Sequence, residues 1–133
     1  MRVDAPTAAE QAGIAAAIAM WRGHGITTMS VTDSAAEPTD AITIKFADAA
    51  DAFHGVYDPP SASILINRDL ASGDTAGALA IVIAHELGHV YGLVHVDPAE
   101  RLSLMNAGNL WTPPTDGDQT ALQTLWGVCP SAP

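Results

Sequence analysis

Apolar and polar positions along the chain change period several times, and each change marks an element. From Thr7 to Arg22 the apolar residues Ile14, Ile18 and Trp21 recur at helical spacing. Thr7 and Glu10 stand in capping-box register, with Pro6 just outside, while Gly23 and Gly25 end the segment, so a helix is predicted over 7–22. Ile26 to Thr32 is β-branched and weakly patterned, whereas Ile42-Thr43-Ile44-Lys45-Phe46 alternates as a half-buried strand should. Between them Glu37-Pro38-Thr39-Asp40 has the composition of a turn. A short strand at Gly55 to Tyr57, a turn at Asp58 to Ser61 and a strand at Ser63 to Asn67 follow. Asp74 or Thr75 then opens a long apolar segment to about Tyr91. Its Leu79, Ile81, Val82, Ile83 and Leu87 cover most of the circumference, which predicts a central helix buried on nearly all sides. Residues 96–115 are irregular. Asp116 to Trp126 reads as a last helix, with Leu122, Leu125 and Trp126 inward and Gly127 past its end. The order predicts an α/β or α+β arrangement in which helices cover a small mixed sheet.

Length and charge narrow the function. The 133 residues, 48% of them hydrophobic, fit one domain, and no internal repeat or linker divides them. Fifteen acidic against five basic residues give a net charge of −10, the wrong sign for nucleic acid or an anionic membrane surface. No apolar run approaches the roughly 20 residues of a membrane helix, so membrane insertion is not expected. Cys129 is the single cysteine, which excludes an intrachain disulfide. No signal-peptide pattern opens the chain, and localisation is left open.

The chemistry is concentrated in His85 to His95, HELGHVYGLVH, which holds three of the five histidines. On a helix His85 and His89 share one face and can share one metal ion. Glu86, about 100° round the helix, can reach a water on that metal. His95 on a continued helix would lie about 15 Å beyond His85. Gly92 tolerates the left-handed backbone that ends the helix and turns the chain back, carrying His95 to the ion. Three neutral imidazoles with one position left for water make a catalytic rather than a structural zinc site. Zinc brings its water towards a pKa of about 7, and Glu86 can take that proton and pass it to a leaving amine, which is amide hydrolysis. His24 and His54 are isolated and read as surface or loop histidines.

HELGHVYGLVH matches the metzincin zinc signature, and Ser103-Leu104-Met105-Asn106 is similar to the Met-turn of that family. Among metzincins the chain resembles the matrixins: His95-Val96-Asp97-Pro98 leads to the turn, Asp118 to Gly127 is similar to their final helix, and Ile18, Trp21 and Ile42 to Phe46 fit their front half. The resemblance spans about residues 7–127, most specifically 85–106. It implies a zincin-like α+β fold, in which a twisted, mostly parallel sheet with one antiparallel edge strand packs on two long helices, plus a C-terminal helix. Gly55 to Tyr57 is the candidate edge, along which an extended protein or peptide substrate would lie. The implied function of this single domain, 1–133 with its core at 7–127, is that of a zinc-dependent metalloendopeptidase. One catalytic zinc would sit on His85, His89 and His95, with Glu86 as base and Met105 and Gly92 supporting the site; Asn106 to Leu110 would line the pocket beyond the cut bond.

The chain also departs from that pattern. Eleven residues between Phe46 and Asp58 leave no room for the loops that hold structural zinc and calcium, and calcium dependence is left open. Gly117 stands where matrixins place the first aspartate of a pair, and Ala107 where astacins carry a tyrosine. No propeptide cysteine is present, and Cys129 reads as a tail thiol. The alternative is a non-catalytic, zinc-stabilised metzincin-like binding or assembly module, against which the retained Glu86 argues; a metal-free binding domain would make the histidines coincidence.

Overall fold

A computed structural model describes residues 1–3, 6–26, 41–48, 53–71 and 76–127. The predicted strand over Ile26 to Thr32 falls outside the described residues except for Ile26, which stands in no element; the turn at 37–40, the helix start at 74–75 and Cys129 fall outside them entirely. Among the described residues the order is β1 (Arg2–Val3), α1 (Ala8–Arg22), β2 (Thr43–Ala47), β3 (Gly55–Asp58), β4 (Ser63–Asn67), a 3-10 turn (Arg68–Ala71), α2 (Ala76–Val90) and α3 (Asp116–Trp126). The class is α+β with a small mixed sheet, ordered β1-β2-β4-β3. β1, β2 and β4 are parallel, and β3 closes one edge antiparallel to β4, with Gly55 opposite Ile66 and Asp58 opposite Ser63. The two residues of β1 were not expected as a strand, because so short a run shows no period.

The capping box predicted for α1 is present: Thr7 N–H donates to Glu10 Oε2 at 2.8 Å, and Glu10 N–H to Thr7 Oγ1 at 3.2 Å. Glu10 is fully buried, and its other oxygen accepts from Arg68 Nε at 2.7 Å, so the carboxylate that caps α1 also ties it to the end of β4. Small residues let α1 and α2 approach closely. A Cβ at Gly13 would stand 2.9 Å from Leu79 Cδ2. Trp21, wholly buried, donates its indole N–H to the Ala84 carbonyl at 2.9 Å. Every residue of α2 from Ala78 to Gly88 is buried, as the apolar residues on nearly all sides of the helix predict, and His85 and Glu86 are buried among them. Ile44, Ile64 and Ile66 of the sheet join the same core.

α3 differs from expectation on its inner face. Leu122 is buried, but Leu125 and Trp126 are 53% and 72% exposed. The helix is anchored at its first turn, through Asp118, and its last turn lies at the surface. There Trp126 donates its indole N–H to the Tyr91 carbonyl at 2.7 Å, which holds the ring across the end of α2 without burying it.

Candidate metal centre

α2 ends one residue after His89, and the way it ends builds the site. Gly92 has φ +93, Gly92 N–H donates to the His89 carbonyl at 3.0 Å, and Leu93 N–H to the Gly88 carbonyl at 3.0 Å. This is a Schellman ending, with Leu93 buried behind it. The chain reverses, and Val96 N–H donates to the Met105 carbonyl at 2.9 Å, fixing the segment that carries His95.

The three histidines converge. Nε2 of His95 stands 3.2 Å from Nε2 of His85 and 3.2 Å from Nε2 of His89. Nitrogens about 2.0–2.1 Å from a tetrahedral zinc lie about 3.3 Å apart, so these two spacings fit that ion, and all three ligand atoms lie within 4.8 Å of one another. Tautomers agree with it: Nδ1 of His85 lies 2.8 Å from the Leu104 carbonyl and Nδ1 of His89 2.8 Å from the Leu93 carbonyl, which assigns both N–H groups to Nδ1 and turns the Nε2 lone pairs inward. Burial, opposed by the Leu104 carbonyl, lowers the His85 pKa from 6.5 to about 4, and partial burial together with His89 lowers that of His95. Both therefore tend to keep a free lone pair. Among the described residues this is the one cluster of histidine, cysteine or acidic side chains suited to a metal ion.

Glu86 is 6% exposed beside them. Burial raises its pKa from 4.5 to about 7, against a Tyr57 backbone amide that holds the charged form. The edge strand runs tightly past it, since a Cβ at Gly55 would stand 2.9 Å from Val82 Cγ1 and 3.2 Å from Glu86 Cγ. His85, Glu86 and His95 line a cleft of about 340 Å³, together with Phe53 to Gly55, Gly108 and Asn109.

Met105, 1% exposed, packs against α2 at Gly88. A Cβ at Gly88 would stand 2.5 Å from Met105 Sδ, so only glycine leaves room for it. The turn that presents Met105 is closed by Ser103 N–H donating to Asn106 Oδ1 at 2.9 Å and Asn106 N–H to the Ser103 carbonyl at 3.2 Å. Asp118 holds this turn to α3. Fully buried, it accepts from the Ser103 hydroxyl, from Leu104 N–H at 3.0 Å, from Thr115 N–H at 2.9 Å and from Arg101 at 3.0 Å. Burial alone would raise its pKa, but these donors hold it below the usual range. Arg101 lies over Gly117, where a Cβ would stand 2.8 Å from its guanidinium, so the residue at 117 bears on this ion pair.

The predicted site residues His85, Glu86, His89, Gly92, His95 and Met105 thus stand together. His54, read as a surface or loop histidine, stands in the loop before β3 and outside the histidine cluster, and there it also lines the cleft. Sequence reasoning also missed Gly88 and Asp118. Both left signals: a glycine inside a helix predicted to be buried, which is unfavourable unless something packs against it, and the capping pair Thr115 and Asp118. A family model described as peptidase family M48 matches residues 24–113, a stretch that includes all three histidines and the Met105 turn. No curated protein matches the chain.

Proposed function

The chain belongs to peptidase family M48, a family of zinc metallopeptidases, and from that membership we propose that it is an endopeptidase whose zinc is held by His85, His89 and His95. The observation that carries this reading is the convergence of three Nε2 atoms beside a buried carboxylate at the floor of a cleft. Zinc bound there supplies Lewis acidity, polarising a carbonyl and bringing water towards a pKa of about 7.

The chain's own residues do the rest. Glu86 takes a proton from the attacking water as its oxygen bonds to the scissile carbon, then delivers it to the nitrogen as the C–N bond breaks. A carboxyl lifted to about 7 by burial is matched to both halves of that exchange. Met105 fills the space beneath the ligands, and Gly92 sets the turn that brings His95 back. Asn67 N–H donates to the His54 carbonyl at 2.8 Å, so by antiparallel alternation the backbone groups of Gly55 and Tyr57 face away from β4, towards an edge of β3 paired with no described strand and, at Tyr57, towards Glu86. An extended peptide adds there as a further strand, across Glu86.

The finer assignment rests on local features. A third histidine after a left-handed Gly92, and a methionine turn ten residues later, support a metzincin site of matrixin type on a zincin-like fold, with residues 7–127 as the core of a single catalytic domain. A non-catalytic zinc module has no use for a buried carboxylate facing an open cleft.

The test is cleavage of a diverse peptide library by the zinc-loaded protein and by Glu86→Gln. The expected outcome is cleavage by the parent, at least a hundredfold loss in the variant, and one zinc retained in both. A folded, zinc-loaded parent that cuts nothing contradicts the reading.

A further inference from the structure

Peptide hydrolysis places negative charge on the carbonyl oxygen, and zinc sites commonly share that charge with a second, protein-borne donor. In this cleft the polar side chains are few. His85 and His95 are committed to the metal and Glu86 to the proton. Asn109 has no capacity left: its Nδ2 donates to the Leu104 carbonyl at 3.2 Å and to that of Thr112 at 2.7 Å, and its Oδ1 accepts from Trp111 N–H at 3.1 Å and Thr112 N–H at 2.9 Å. That leaves His54.

The backbone at His54 is held rigidly, while its imidazole makes no hydrogen bond with any described residue. Asn67, 5% exposed at the end of β4, is given over to this clamp: its N–H donates to the His54 carbonyl at 2.8 Å and its Nδ2 to the Phe53 carbonyl at 3.1 Å. The next residue, Gly55, makes the closest approach of the edge strand to Glu86. His54 is half-buried, stands one residue away and lines the same cleft as Glu86.

We propose that His54 contacts the substrate and donates an N–H to the carbonyl oxygen of the scissile bond, more strongly as that oxygen gains charge. The inference rests on the peptidase reading above. It assigns His54 no role in holding zinc, and the imidazole forms and breaks no covalent bond.

The experiment compares zinc-loaded parent, His54→Ala, His54→Phe, which keeps a ring without a donor, and His54→Gln, which restores an N–H. The substrate is the library peptide the parent cuts fastest. Calorimetry measures binding of a phosphinic peptide of that sequence, which carries a tetrahedral oxyanion, and binding of the intact peptide to each protein in the Glu86→Gln background. Expected are a drop of about a hundredfold in kcat for the Ala and Phe variants with KM within threefold, and a comparable loss of phosphinic-peptide affinity. Intact-peptide affinity and the single zinc should be unchanged, and His54→Gln should recover about tenfold. The inference is overturned by kcat within threefold of the parent in His54→Phe, by equal losses for phosphinic and intact peptide, or by loss of zinc. A parent that cuts nothing overturns the peptidase reading and this one with it, whereas an active parent with an equally active His54→Phe overturns this one alone.

Discussion

At the scale of single residues, the site joins two side chains whose burial acts in opposite senses. Glu86, raised from 4.5 to about 7, binds a proton in the zinc-free folded state that the unfolded chain has released between those pH values. Its contribution to stability therefore falls as pH rises through that window. His85, lowered from 6.5 to about 4, refuses a proton that the unfolded chain binds, so its contribution falls as pH drops through 6.5 towards 4. Glu86→Gln removes the first effect and keeps the second. With a chelator present, the variant is expected to be more stable than the parent at pH 8, by on the order of 3 kcal/mol, and little different near pH 4. Denaturant melts at the two pH values check this, and a gap independent of pH contradicts the assigned burial of the carboxyl.

Between elements, Asp118 is the tie on which the most contacts depend. Its carboxylate joins the first turn of α3 to Ser103 and Leu104, and the Leu104 carbonyl in turn faces His85 Nδ1. An amide at 118 turns a donor towards the Leu104 N–H or the Arg101 guanidinium, leaving a buried group unpaired. Asp118→Asn is therefore expected to cost roughly 2–4 kcal/mol of stability and to weaken zinc binding by tenfold or more, through the orientation of His85. Metal competition titrations and denaturant melts read the two effects separately; unaltered zinc affinity in a folded variant contradicts the tie. The sequence marked this helix correctly from Asp116 to Trp126 but assigned its inner face by periodicity, which held for Leu122 and failed for Leu125 and Trp126. Periodicity defines a face along the whole helix, while packing covers only the turns that meet a neighbour.

For the whole molecule, the proposed metal would join the end of α2 to the loop carrying His95, with the Met105 turn packed against α2 at Gly88. Zinc that binds the folded state alone stabilises it by about 2.7 kcal/mol at a free concentration one hundred times Kd. For a domain of this size chelation is then expected to lower the melting midpoint by roughly 10 °C. His95→Ala should abolish most of that difference. Scanning calorimetry with and without chelator checks both, and a midpoint indifferent to zinc in the parent contradicts a site on the folded state.

What the sequence by itself determined is local. The capping box at Thr7 and Glu10, the alternation through Ile44, the apolar run of α2 and the spacing of His85, His89, Gly92 and His95 each act over a few residues, where backbone geometry converts spacing into position. What only the tertiary structure decided is which distant segments meet. Nothing in the chain's spacing places His54 in one cleft with His95, joins Asp118 to Leu104, or requires Gly88 to admit Met105. Those contacts join residues 14 to more than 40 positions apart, and they depend on how the edge strand and α3 dock on α2. Docking is settled by the packing of side chains from every element at once, which a pattern along the chain does not encode.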